Sequence, residues 1–533
     1  METVLLLASI VIFACVVFNK LSGKFGVPGL FVFILLGMIF GSDGLFKIPF
    51  DNYSFASDIC SVALIFIMFY GGFGTKWSTA KPIASKAILL SSLGTVITAA
   101  LVGGFCYFVL KFELLEAFLM GAVICSTDAA SVFSILRSKK INLKYGTASL
   151  LEVESGSNDP FSYMLTAIIL SLMEGKSATL LSVVLMLVAQ ISLGIIYGVL
   201  IAIIAKKILK KFTFKDAGFD AVFSVGIAVI SYVLPSMTGG NGYLSAYITG
   251  IILGNSKIPN KKSLVHFFDG LTGLMQMLLF FLLGLLSFPS KLPGIAITAL
   301  AVVLFLTFFA RPVAIFTVLS PFGCKINQQM FIAWSGMRGA ASIVFAIMAI
   351  TSPAVLDNDI FHIVFFIVLF SVLVQGTLLP VLAKKSDMID ESSDVMKTFT
   401  DYADEIPVRF IQFNVHKGHE WDGKRVADIT LPPECILVLL IRNGEKIVPK
   451  GKTILKDNDT LILSGVEGGE VKGVHLYEHI VEADDEWVNR KICEFPSEET
   501  LIILIRRENN VVIPKGDTKI LENDILVIND MSE

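Results

Sequence analysis

The chain has 533 residues, 54% of them hydrophobic, with 42 Phe and a mean hydropathy of +0.74; this excludes an ordinary soluble domain and reads as a polytopic membrane protein. Charge divides unevenly: residues 1–383 hold 24 Lys+Arg against 16 Asp+Glu, residues 384–533 hold 19 against 30, and the formal net charge is −3. The acidic second part excludes nucleic-acid binding, which needs basic faces, and seven scattered Cys without a Cys-x-x-Cys pair indicate buried structural thiols rather than a disulfide framework or a zinc site.

The sequence opens Met-Glu-Thr and runs straight into apolar residues, with no basic segment and no small-residue cleavage site. It therefore reads as a first membrane helix rather than a signal peptide. Apolar stretches recur at 3–19, 25–41, 55–73, 86–109, 113–136, 147–172, 178–205, 219–234, 241–255, 264–288, 293–319, 328–351 and 359–382, thirteen candidate spans. Most approach the roughly 20 residues that a helix needs to cross the hydrocarbon core.

The connections test this reading, because Lys and Arg collect on the cytoplasmic side. The odd-numbered connections carry twenty basic residues: Lys20, Lys24; Lys76, Lys81, Lys86; Arg137, Lys139, Lys140, Lys144; Lys206, Lys207, Lys210, Lys211, Lys215; Lys257, Lys261, Lys262; Lys325; Lys384 and Lys385. The even ones carry four, Lys47, Lys111, Lys176 and Lys291. The asymmetry predicts an odd number of spans in the cell membrane, the N-terminus outside and the C-terminus in the cytoplasm. Eleven or fifteen spans would keep the same parity.

Two spans are interrupted by similar polar runs. The fifth contains Ser126-Thr127-Asp128-Ala129-Ala130-Ser131-Val132-Phe133 and the twelfth Met337-Arg338-Gly339-Ala340-Ala341-Ser342-Ile343-Val344-Phe345. Paired interruptions in corresponding places of two halves point to a transporter built from inverted repeats.

Between them, Glu152-Val153-Glu154-Ser155-Gly156-Ser157-Asn158-Asp159-Pro160 brings three acidic side chains to the start of the apolar run from Phe161 to Leu172. A helix extending back through Asp159 carries that carboxylate into the hydrocarbon, at a cost of roughly 2.5 to 3.5 kcal/mol, so the default reading is a proton or ion site. Asp159 and Asp128 supply carboxylates, and Thr127, Ser155 and Asn158 neutral oxygen donors. A carboxylate taken out of water is neutralised by either a proton or a hard monovalent cation. Competition for one carboxylate is sufficient for exchange, and with Asn158 where a second acid could stand, the expected stoichiometry is one for one and electroneutral. A buried Glu154 needs a partner; of the two Arg within spans, Arg311 is favoured for it, and Arg338 is left to the broken-helix carbonyls or a helix C-terminus.

After residue 383 a charged linker, 384–407, leads to soluble β-rich sequence in two similar parts, 408–466 and 467–533. Ile436 to Arg442, Val448-Pro449-Lys450-Gly451 and Asp457-Asn458-Asp459 are echoed by Leu501 to Arg506, Ile513-Pro514-Lys515-Gly516 and Glu522-Asn523-Asp524. The offset is 64 residues at the first element and 65 later, as though the turn had gained a residue. Each part reads as strands around a turn, Asn443-Gly444 or Glu508-Asn509-Asn510, with a closing strand after Asn-Asp.

Together these motifs resemble the NhaP type of cation/proton antiporter, over residues 1–383. The resemblance implies an all-α membrane domain of about thirteen helices with two crossed broken helices, and a homodimer moving in an elevator-like manner. It further implies K+ or Na+ held by Asp159, Ser155 and the Thr127 backbone, Asp128 as an indirect ligand, and a structural ion pair of Glu154 with Arg311. The tail resembles RCK_C (TrkA-C) regulatory modules, present twice as an α/β tandem, a pairing typical of the potassium/proton branch; site residues alone do not choose potassium over sodium. Members of that branch often have an acid before Gly-Gly in the third span; here Tyr70-Gly71-Gly72 removes it. No Gly-x-Gly-x-x-Gly occurs in the tail, which leaves a cyclic dinucleotide or other small effector between modules, or dimerisation alone, as its role. A cation channel with a regulatory module is the rival from another class, but no Thr-Val-Gly-Tyr-Gly filter is present. An enzyme is disfavoured, because His416, His419, His475 and His479 lack a Cys cluster or a His-Glu-x-x-His pattern.

Overall fold

Backbone polar groups in lipid must find their partners within the chain, so long apolar runs fold as helices. The computed structural model describes residues 9–17, 29–139, 141–175, 179–211, 217–390, 408–431, 435–442, 445–466, 476–481, 485, 487–494, 500–507, 510–512 and 514–530. Lys20, Lys24, Lys140, Lys176, Lys215, the linker from 391 to 407, the turn residues Asn443, Gly444, Glu508 and Asn509, and Ile513 and His475 lie outside them, as does the Arg137 side chain. The chain divides between Ala403 and Asp404 into two units.

Helix occupies part of each of the thirteen apolar stretches. In order these are α1 (9–17), α2 (Gly29–Phe40), α3 (Tyr53–Gly74), α4 (Lys81–Phe108), α5 (Leu114–Ile124) with α6 (Ala129–Ser138), α7 (Thr147–Met173) and α8 (Leu180–Lys211). They continue with α9 (Ala217–Met237), α10 (Gly242–Gly254), α11 (Lys261–Leu286), α12 (Pro289–Phe322), α13 (Ile326–Trp334) with α14 (Ala340–Thr351), and α15 (Ile360–Lys385). Among the described residues, eight helices are long and apolar enough to cross a membrane, and Gly29–Phe40, Gly242–Gly254 and Ala340–Thr351 are shorter apolar helices. The 27-residue α7 is not among the eight; it carries Glu152, Glu154 and Asp159.

Helix starts are set by side-chain caps: Asn52, Asn241 and Asp359 accept from the backbone N–H three residues on, at 3.0, 3.0 and 3.2 Å. Helix contacts are set by small residues. A Cβ on Gly72 of α3 would run into the Tyr247 carbonyl, and one on Gly250 of α10 into that of Phe69. Glycine therefore lets these two backbones meet directly, as small residues do in membrane bundles.

Helices α4 to α7 and α12 to α15 share a plan. The first of each group has a π turn, Leu90–Gly94 or Leu306–Ala310, and the second span is broken, at 125–128 or 335–339. Arg311 stands directly after the second π turn, a local widening that recurs at functional sites.

The second unit contains two four-stranded antiparallel sheets of identical order. In the first, β1 (Val408–Asn414), β4 (Thr460–Val466), β2 (Cys435–Arg442) and β3 (Glu445–Ile447) are neighbours in that order; in the second, β5 (Leu476–Ile480), β8 (Ile525–Asp530), β6 (Thr500–Arg507) and β7 (Asn510–Val512). Among the described residues, the helical part of the expected α/β module is a single 3-10 turn in each, Val426–Asp428 and Ile492–Glu494. The sheets also correct the repeat register. Strand slips at Leu437/Leu439 and Ile502/Leu504, and core residues Leu440 and Ile505, Leu455 and Ile520, Leu461 and Leu526, all stand 65 apart. Arg442 therefore corresponds to Arg507, not Arg506, and the turn has gained nothing.

Not all thiols are buried. Cys15, Cys60, Cys106 and Cys125 are, whereas Cys324 and Cys435 are half-buried and Cys493 is exposed.

Candidate ion-binding site

The polar run Ser126-Thr127-Asp128 ends α5 because Asp128 serves as the cap of α6. Its Oδ1 accepts from the Ser131 N–H at 3.2 Å and its Oδ2 from the Ser131 hydroxyl at 2.5 Å. The second break runs from Ser335 to Gly339. The two breaks meet: the Asp128 N–H donates to the Met337 carbonyl at 2.8 Å, and Arg338 Nη1 donates to the carbonyls of Cys125 and Ser126 at 3.0 and 2.5 Å. A guanidinium thus sits on the C-terminal carbonyls of α5, and a carboxylate at the N-terminus of α6 and beside that of α14, matching both helix dipoles. A Cβ on Gly339 would strike the Asp128 side chain, so only glycine permits this approach.

Helix α7 lines the first break with one stripe of polar residues. The Ser155 hydroxyl donates to the Thr127 carbonyl at 2.7 Å and accepts from the Ala129 N–H at 2.9 Å. Asn158 Nδ2 donates to Thr127 Oγ1 at 2.7 Å, and the Ser162 hydroxyl donates to the Ala122 carbonyl at 2.6 Å. Spacings of three and four put these residues on one face. They satisfy backbone groups that the unwound segment leaves open. Pro160 contributes no N–H to the helix, and the Asn241 amide donates to its carbonyl at 2.8 Å.

On that face Asp159 is buried, and its Oδ1 accepts from the Ser126 hydroxyl. Glu154 turns to another side, where its Oε1 lies 2.5 Å from Arg311 Nη2, both side chains at most 3% exposed. Gly336 leaves the room that Arg311 occupies; a Cβ there would lie 2.6 Å from Arg311 Nε.

A cavity of about 450 Å³ reaches Asp159, Ser155 and Asp128, and also Glu152, Asp269 and Thr272. Thr127 and Asn158 are bonded to each other at the break instead. The wall is formed by the C-terminal half of α3, by α6, and by the N-terminal halves of α7 and α11. Each of these helix ends leads to a connection rich in Lys, so the cavity lies on the Lys-bearing side of Asp159. Buried carboxylate, hydroxyl and backbone oxygens around such a cavity suit a hard monovalent cation.

Sequence reasoning missed Ser126 as the hydroxyl on Asp159, and it missed Asp269. The signal for Asp269 was available, since it is the sole acid in the apolar run 264–288. No comparable signal marks Ser126, one hydroxyl among many.

Crossed broken helices around buried carboxylates, with a cavity to one side, define a secondary ion transporter of the alternating-access class. The transmembrane family described as sodium/hydrogen exchanger matches residues 6–385, and the TrkA-C domain matches residues 410–469 and 476–528. The chain belongs to the sodium/hydrogen exchanger family, whose members are cation/proton antiporters and not enzymes. It is 31% identical over 464 residues to the K(+)/H(+) antiporter NhaP of Alkalimonas amylolytica, covering 86% of this chain and 80% of that protein. It is 29% identical over 458 residues to the K(+)/H(+) antiporter NhaP2 of Shewanella sp. (strain ANA-3), covering 85% and 79%. The solved sodium proton antiporter MjNhaP1 from Methanocaldococcus jannaschii superposes with a TM-score of 0.63 at 26% identity, over 72% of this chain and 99% of that one.

Proposed function

We propose that this protein exchanges potassium for protons across the cell membrane, one for one, by competition of the two ions for Asp159. The observation that carries this reading is the burial of Asp159 on the cavity wall beside an unwound helix, with Ser126, Ser155 and Asp128 around it. Thr127 and Asn158 hold the break in shape, and Glu154 with Arg311 fixes α7 to α12. Arg338 neutralises the end of α5. The names of the relatives in Alkalimonas and Shewanella support potassium. Sodium/proton exchange is the second reading, favoured by the solved antiporter from Methanocaldococcus.

In this reading residues 1–383 cross the bilayer thirteen times with the N-terminus outside, 384–407 link, and 408–466 and 467–533 are cytoplasmic regulatory modules. The cavity on the Lys-bearing side then makes this an inward-facing state. A homodimer is the assembly, and the module pair responds to a small effector such as a cyclic dinucleotide.

Proteoliposomes carrying a pH-gradient dye, challenged in turn with potassium, sodium, rubidium and lithium, test the reading. Dequenching by potassium that Asp159→Asn abolishes is the expected result. A response to sodium and lithium alone selects the second reading, and undiminished exchange in Asp159→Asn removes Asp159 from the mechanism.

A further inference from the structure

Asp269 is two turns into α11, and it shares the cavity with Asp159. At 1.5 Å per residue it stands about 12 Å along its helix from Lys261, while Asp159 stands about 18 Å from Thr147 at the corresponding end of α7. Asp269 is therefore nearer the Lys-bearing side, toward the mouth. The Tyr70 hydroxyl of α3 donates to Asp269 Oδ1 at 3.3 Å and holds the carboxylate from the helix packed beside α11.

One turn further along α11, Thr272 lines the same cavity. It is 8% exposed, and its hydroxyl has no hydrogen-bond partner among the described residues. That is an uncommon condition, since buried side-chain oxygens nearly always have one and a helical Thr can bond back to its own preceding turn. A hydroxyl left open beside a carboxylate, on one helix face and in one cavity with the exchange carboxylate, is an oxygen pair suited to a hard cation. Thr272 and Asp269 belong to α11, whereas Asp159 and Ser155 belong to α7, so the cation finds donors on both walls.

We propose that Asp269 and Thr272, with Asp269 positioned by Tyr70, form an outer subsite for a monovalent cation at the mouth of the cavity, from which the ion passes to Asp159. The subsite rests on the reading of Asp159 as the exchange carboxylate. Its effect is on capture: Asp269 is exposed at the mouth, and a fixed negative charge at a cleft with low-dielectric walls raises the local concentration of cations.

The test is the initial rate of exchange against cation concentration in proteoliposomes of the full chain. Asp269→Asn is expected to raise the half-saturating cation concentration roughly fivefold, the worth of one carboxylate several ångströms from the ion at intermediate dielectric. The maximal rate stays within about twofold, as for a group that acts on binding alone. Asp269→Glu restores near-normal capture, and Thr272→Val weakens it less than Asp269→Asn. In a second measurement, Asp159→Asn retains a weak rubidium-binding component that Asp159→Asn/Asp269→Asn lacks. Unchanged half-saturation in Asp269→Asn, or Asp269→Glu as impaired as Asp269→Asn, overturns the subsite while wild-type exchange leaves the reading of Asp159 standing. Absence of exchange in the wild type overturns both.

Discussion

The backbone N–H of Asp128 donates to the carbonyl of Met337 at 2.8 Å, so each broken helix closes part of the other's break. Gly339 makes the approach possible, because any Cβ there meets the Asp128 carboxylate. Gly339→Ala is accordingly expected to displace Asp128 and part the two breaks. Overpacking of this kind costs about 1–3 kcal/mol. The expected outcome is a lowered thermal midpoint together with slower exchange, about fivefold or more where a cost of this size falls on the transport barrier. Normal exchange in Gly339→Ala would show that the crossing tolerates a wider spacing than the geometry allows.

The Glu154 and Arg311 pair tests how charge is tolerated beside the site. Both side chains are nearly inaccessible, and among the described residues the Glu154 carboxylate oxygens and Arg311 Nε and Nη2 have no hydrogen-bond partner beyond the mutual approach of the pair. Glu154→Leu or Arg311→Met alone leaves one charge buried without its counterion and is expected to cost about 3–5 kcal/mol. The double variant removes both charges and should recover most of that loss, which a thermal double-mutant cycle in detergent measures. Additive losses would mean that the two residues stabilise the helices independently.

The features readable in the sequence were those that are costly in lipid. Asp128, Glu154, Asp159, Arg311 and Arg338 interrupt apolar runs, and the structure gathers them around two crossed breaks. What stayed hidden depends on which helix faces which. Tyr70 before Gly71-Gly72 reads as the loss of a carboxylate, yet its hydroxyl holds Asp269 from a helix two hundred residues away in sequence. The tail repeat was visible, but its register was off by one in the β2 and β6 strands. Leu501 to Ile505 is apolar throughout, so it carries no period-2 alternation to fix the pairing, and Arg506-Arg507 offers two matches to Arg442. The shared salt bridge, bulge and core positions decide for Arg507.

That salt bridge gives the tail a defined acid response. Asp459 is fully buried and Asp524 nearly so; burial alone would push their carboxyls up, but the bonds from Arg442 and Arg507 and from the Lys456 and Leu521 N–H groups hold both below the ordinary carboxylate value. Arg442 donates through Nε and Nη2 at 2.7 and 2.6 Å, and Arg507 does the same at 2.9 and 2.8 Å. A carboxyl depressed in the folded state contributes stability above its unfolded value, near about 3.9, and loses it as pH falls through the folded one. Both sheets should therefore keep this contribution at neutral pH and lose it below about pH 4. Arg442→Met should destabilise the first sheet by about 2 kcal/mol at neutral pH, and the deficit should narrow in acid as Asp459 protonates. Hydrogen-exchange mass spectrometry on peptides from β4, with β8 as internal control, reads both effects. A deficit that does not change with pH would exclude the ion pair as its source.

Beyond the end of α15 the chain is tied back to the membrane helices. Residues 386–390 lie against the connection between α6 and α7: Leu143 and Ile389 form an antiparallel bridge, the Lys144 N–H donates to the Met388 carbonyl at 2.9 Å, and the Asp390 N–H donates to the Asn142 carbonyl at 3.0 Å. Met388 is fully buried there, and Lys144 Nζ meets Asp387 at 2.8 Å. The connection joins the capped helix α6 to the helix that carries Asp159, so a pull on residue 390 acts on both. Asp390→Pro removes the donor to Asn142 and should raise amide exchange across 141–147 while slowing ion exchange. Asp387→Asn removes only the charge of an exposed ion pair, which contributes little, keeps a side chain suited to the positive φ of 54° at that position, and should leave both unchanged. If Asp390→Pro leaves amide protection and ion exchange as they were, the bridge is a passive contact; if it changes both, the start of the linker is mechanically continuous with the ion-binding helices.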